Sequence, residues 1–219
     1  MKRFLSRILT ATAIALVTLT GCFSESTQAD NNLTYVNGTH YTTLSTPLPT
    51  RVAQDKVEVV ELFWYGCPHC YHLEPIINKY LAQKPANVEF VRVPATLSPR
   101  WTFHAKLYYV GQLLDPQGTK GVHGKIFDAL QKQNRRIDND EALKRFFVSL
   151  GYTNEQIDGV LKSMELDSLM RFATDYSAKS GADSVPNLIV NGKYMTGPGM
   201  VGGENVIATL NYLTKKESK

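Results

Sequence analysis

Residues 57–75 read VEVVELFWYGCPHCYHLEP, and this stretch decides how the chain is understood. Val57 to Tyr65 is nearly continuous in β-branched, aromatic and aliphatic residues, the composition of a central strand covered on both faces. A helix is predicted from about Pro68, because proline is tolerated in a first helical turn, where its missing N–H has no partner to lose. Pro75 lies inside that helix and is expected to kink it. Cys67 and Cys70 sit at the junction, three positions apart, so a helix brings both to one face.

Working outward, Val88 to Val93 reads as the next strand and His40 to Leu44 as a short edge strand. From Ser98 the pattern turns helical. Ser98-Pro99 offers an N-cap followed by a first-turn proline. Leu143, Phe146, Phe147 and Leu150 follow helical spacing, with Gly151 where a helix ends. Thr153 and Gln156 fit a capping box. Leu169, Phe172, Ala173 and Tyr176 form another apolar stripe, closed by Gly181. These stripes read as core. Asn187 to Val190 then leads into Asn191-Gly192, a strong two-residue hairpin signal, and Lys193 to Thr196 returns. Gly197-Pro198-Gly199 reads as a loop, and Val206, Ile207, Leu210 and Leu213 as a last amphipathic helix. The order is β-α-β, a helical insert of roughly 80 residues, then β-β-α: an α/β chain divided at 39–97, 98–180 and 181–219.

The N-terminus carries Lys2, Arg3 and Arg7 and no acid, followed by an apolar run from Ile8 to Thr20. That run is too short to span a bilayer and suits the core of a secretory signal over residues 1–21. Leu19-Thr20-Gly21-Cys22 resembles a lipobox, in which cleavage precedes a cysteine that is then lipidated; cleavage after Thr27-Gln28-Ala29 is the alternative. Phe23 to Gly38 is polar and reads as a flexible tether spanning ~20–24 Å. Loss of residues 1–21 removes three of the 24 basic residues, leaving 21 against 20 acidic ones. No basic run or stripe remains to suit nucleic acid. The remaining length supports a sizeable core without disulfides.

With Cys22 assigned to lipid, Cys67 and Cys70 are the only cysteines left. Cys67, His69, Cys70 and His72 are too crowded along one turn to surround a tetrahedral metal, and no second Cys pair follows. A structural disulfide closing so small a loop stabilises little. A redox pair fits better. Cys67 at the helix start meets free N–H groups and the favourable end of the macrodipole, whereas Cys70 lies one turn deeper. The helix end supplies ~0.3–1 kcal/mol, or ~2 when partly buried, against ~1.4 per pKa unit. A larger shift must come from His69 and local hydrogen bonds. A stabilised Cys67 thiolate favours the dithiol, which makes the disulfide a strong oxidant.

FWYGCPHCYHLEP and SVPNLIVNGKY, together with the element order, resemble the DsbA family of periplasmic thiol oxidases, from about His40 to the end. The resemblance implies a thioredoxin fold with an inserted all-helical domain and a catalytic set of Cys67, Pro68, His69 and Cys70. It implies that Pro186 is cis, with Val185 offering its backbone to a substrate strand. It implies that Glu61, inside the apolar run, is a buried acid that assists proton transfer near Cys70. A surface-facing acid is the alternative, and Arg92 on the next strand is the candidate partner of a buried one. Glu74 matches a second family acid, with an exposed helix glutamate as its alternative. His72, His104 and His123 read as ordinary surface or core residues.

The family further implies unfolded exported proteins with free cysteines as substrates, reoxidation by a DsbB-like membrane quinone reductase, an apolar groove for both, and no metal or cofactor. The lipobox departs from the soluble members and implies anchoring to a membrane through Cys22. A disulfide isomerase or reductase on the same fold is the nearest alternative, and a non-catalytic envelope lipoprotein that binds a partner is the other.

Overall fold

A computed structural model describes residues 34–218. The signal segment 1–21, Cys22 and most of the expected tether lie outside the described residues.

The sheet is built on β2 (Val57–Phe63), whose seven residues are all buried. β3 (Val88–Pro94) runs parallel to it, Glu61 opposite Arg92. β4 (Asn187–Val190) pairs with the other side antiparallel, followed by β5 (Tyr194–Thr196) and the two-residue edge strand β1 (Thr42–Thr43). The order is β1-β5-β4-β2-β3. Asn191 and Gly192 both take positive φ, 50° and 66°, as the tight hairpin between β4 and β5 requires. A Cβ on Gly192 would lie 2.1 Å from the Leu48 carbonyl oxygen, so the turn needs glycine for space as well as for φ.

β2 packs both ways because its side chains alternate. Val57 and Val59 face α1 (Pro68–Gln83) and α8 (Val206–Glu217), joining Leu73, Ile77, Tyr80, Leu210 and Leu213 in one core. Val60 and Leu62 face the opposite way, into a larger core with the inserted helices. Those helices are α2 (Pro99–Leu114), α3 (Val122–Gln131), α4 (Asp140–Ser149), α5 (Asn154–Leu161) and α6 (Met164–Ser180). Their sequence signals are realised locally. Ser98 Oγ accepts from the Trp101 N–H, Thr153 and Gln156 form a reciprocal capping box, and Gly181 ends α6 in the left-handed conformation.

α1 runs to Gln83 with Pro75 inside it, as the sequence reading places it. Two details differ from that reading. Gly197-Pro198-Gly199 is not a plain loop, since Pro198–Val201 forms a short helix, α7, whose Met200 N–H bonds to the Gly197 carbonyl. The polar segment up to Gly38 is not all tether. Tyr35 stacks on Tyr212 of α8 at 4.3 Å, and Asn37 bridges to Tyr41. The aromatic at position 35 brings residues 34–38 onto the folded unit. No described helix is long and apolar enough to cross a membrane.

Candidate active site

The Trp64–Gly66 turn delivers the chain from β2 into α1. The Cys67 N–H donates to the Trp64 carbonyl at 3.0 Å, and a Cβ on Gly66 would sit 2.2 Å from the Trp64 indole. Only glycine lets the indole fold back here. Trp64 stacks on Trp101 at 4.4 Å and lies 5.7 Å from the ring of His104, so α2 buttresses the turn.

Cys67 is the N-cap of α1, and its side chain makes no capping hydrogen bond. The Cys70 thiol is the main donor holding Cys67 below the usual thiol range, at about 6, opposed by burial and helped by the backbone N–H groups of Cys70 and His69. The charge of His69 contributes last. Cys70 is pushed the other way, first by burial and then by its bond to Cys67. Both are free thiols; Cys67 keeps 8% of its surface and Cys70 none. Cys67 is thus more covered than its helix-end position predicted. The Val185 carbonyl lies over it, accepting from a protonated Cys67 Sγ at 3.5 Å. The Val185–Pro186 peptide is cis.

Glu61 sits in the row of β2 that faces α1, with no exposed side-chain surface. The Arg92 Nε donates to its Oε2 at 3.0 Å, while Oε1 is buried without a hydrogen-bond partner. Burial, only partly offset by Arg92, pushes its carboxyl up to about 7, and the charge of Glu74 adds to the rise. The Arg92 Nη2 also donates to both oxygens of Glu74, at 3.3 and 3.2 Å. Glu74 is therefore no free surface acid. His123, which reads from sequence as an ordinary residue, joins this cluster. Its Nε2 meets Glu74 at 3.2 Å and its Nδ1 meets the Tyr65 hydroxyl at 2.8 Å. The only sequence hint was its place beside Val122 and Ile126 on an apolar helix stripe. His104 is a core residue, as read, and burial pushes its ring down to about 4.

Beside the cysteines runs a groove of about 700 Å³. His69, His72, Leu73 and Ile76 of α1 form one wall, Val185 and Pro186 the floor, and Pro198 and Met200 the other wall. Among the described residues, no group of three or more His, Cys, Asp and Glu side chains could hold a metal ion.

Residues 58–213 match the family model of the DSBA-like thioredoxin domain. The thiol:disulfide interchange protein DsbA of Pseudomonas aeruginosa is 34% identical over 206 residues, covering 93% of this chain and 94% of that one. Its counterpart in Azotobacter vinelandii is 36% identical over 209 residues, covering 93% and 95%. The crystal structure of the Pseudomonas aeruginosa protein superposes with a TM-score of 0.76, over 84% of this chain and 94% of that one. The oxidoreductase DsbA of Xylella fastidiosa, 25% identical, gives 0.75 over 84% and 97%. Likeness of this extent, in sequence as in backbone, makes the chain a member of the DSBA-like thioredoxin family of thiol:disulfide oxidoreductases.

Proposed function

We propose that this protein oxidises the cysteines of unfolded exported proteins, donating the Cys67–Cys70 disulfide. The observation that carries the proposal is the opposed pair of thiols, Cys67 at the start of α1 beneath the Val185 carbonyl and Cys70 fully buried one turn on, an arrangement that lowers the first thiol and raises the second. Stabilising the Cys67 thiolate stabilises the dithiol and leaves the disulfide oxidising.

A substrate thiolate attacks Cys67 Sγ, the Cys67–Cys70 bond breaks, and Cys70 leaves with the electron pair. Glu61, whose carboxyl is half-protonated at about pH 7, supplies the proton that the departing Cys70 sulfur takes up. A second substrate thiolate then attacks the substrate sulfur of the mixed disulfide, and Cys67 leaves as a thiolate. The substrate loses two electrons and gains one disulfide; the enzyme ends with one thiolate and one thiol. Pro68 and His69 shape the helix start around Cys67. The Val185 backbone and Pro186 line up an extended substrate segment beside the sulfur, and the groove along α1 receives its apolar side chains. A DsbB-like membrane quinone reductase regenerates the disulfide. Residues 1–21 direct export to the periplasm and Cys22 carries lipid, so that Cys22→Ser frees the protein from the membrane fraction.

Equilibration with glutathione tests the oxidase reading directly. A disulfide reduced by micromolar-to-millimolar glutathione fits it; a pair that stays oxidised until far stronger reductants are added marks a reductase instead.

A further inference from the structure

We infer that His123, carried by α3, is a positioning residue for the reaction: by holding Glu74 on Arg92 it fixes the field in which Glu61 exchanges a proton with Cys70. The inference rests on the role proposed for Glu61.

For a neutral imidazole beside an ionised Glu74, the hydrogen bonds admit one proton arrangement. Arg92 can only donate, so both carboxylates accept from it. Glu74 Oε1 then accepts from His123 as well, which places the imidazole proton on Nε2. Nδ1 is left as the acceptor, and the Tyr65 hydroxyl donates to it at 2.8 Å. The ring is packed on edge among Phe63, Tyr108 and Phe127, with centroids 5.3, 5.8 and 5.1 Å away. Burial holds it below the ordinary histidine range, against the pull of Glu74, and so it stays neutral.

Neutrality matters because the charges next to Glu61 are then those of Arg92 and Glu74, with none added by His123. Arg92 divides its donors between the two acids, and Glu61 receives one N–H. The other titratable groups around Glu61 are Cys70 on α1, Tyr65 before it and Tyr108 on α2. None of these can take the place of His123 on Glu74. Without the imidazole, Glu74, with 13% of its side chain already exposed, turns toward water. Arg92 then serves Glu61 fully, and Glu61 gives up its proton at lower pH.

The test isolates the Cys70 step. Reduced full-length protein mixed with excess oxidised glutathione forms a mixed disulfide at Cys67. Cys70 then attacks Cys67 Sγ, expelling glutathione as thiolate, while its proton passes through Glu61. The closure rate against pH is expected to carry a limb near 7 in the unaltered protein, which Glu61→Gln removes. His123→Phe moves the limb down by roughly half a unit to one unit. His123→Gln leaves it in place, because an amide both donates to Glu74 and accepts from Tyr65. An unmoved limb in His123→Phe, with Glu61→Gln effective, overturns the role of His123 alone. An equal shift in the Phe and Gln variants also overturns it, since packing then explains both. A limb that survives Glu61→Gln overturns the Glu61 reading and this one with it. Nitrogen NMR of the unaltered protein needs no variant to fold: an Nε2–H imidazole is expected at neutral pH, and an Nδ1–H one contradicts the inference.

Discussion

The mouth and the floor of the site hold the same functional group, one helical turn apart, and treat it oppositely. At the mouth, Cys67 is surrounded by donors: a thiol, two backbone N–H groups and, more distantly, an imidazole. At the floor, Cys70 is sealed among apolar side chains, with the acid Glu61 beneath. Hydrogen bonds decide the first environment and desolvation the second. An asymmetric pair therefore needs no difference in residue type, only a helix end that places one sulfur among N–H groups and the next inside the core.

The largest way to break this contrast is at the floor. Arg92→Met strands Glu61 in the core, and the expected loss is about 3–5 kcal/mol above pH 7, where the parent holds an ionised pair, read from urea unfolding. The sign follows from linkage. A raised carboxyl favours the folded state at low pH and loses that contribution as pH rises through its folded pKa. Removing Arg92 raises that pKa further while the unfolded value is shared, so the gap between variant and parent is expected to open above about pH 7, where Glu61 ionises in the parent but not in the variant. A pH-independent gap would mean that Arg92 acts through packing.

Moving up the helix, Cys70→Ala removes the main donor to Cys67 and is expected to raise its thiolate midpoint from about 6 by about one unit or more. His69→Leu removes the last-ranked contribution and is expected to raise it by less, about half a unit or below. Thiolate absorbance against pH checks both, and a larger effect from His69 would reverse the ranking. The same depressed pKa stabilises the reduced form fully above the unfolded thiol value. That contribution fades as pH falls through about 6, so the stability difference between reduced and oxidised protein narrows toward acid.

Much of this was legible in the chain because it is written locally. The run at 57–63, the capping box at 153–156, the Asn191-Gly192 turn and the spacing of Cys67 and Cys70 each involve neighbours in sequence. Glu61 and Arg92 were legible as a pair because parallel strands place them in register. His123 was not. It stands 49 positions from Glu74 and 58 from Tyr65, and only the packing of α3 on the start of α1 brings them together. The sequence reading left the Cys67 shift to His69 and local hydrogen bonds; first among its causes is the neighbouring Cys70 thiol, a neutral group.

Gly66 leaves room for the Trp64 ring, and that ring rests against Trp101, the other of the chain's two tryptophans. The whole indole emission of the molecule thus originates in one stacked pair at the turn that leads into Cys67. Native indole fluorescence becomes an unlabelled gauge of electron flow through the bridge, with no distant tryptophan to dilute it.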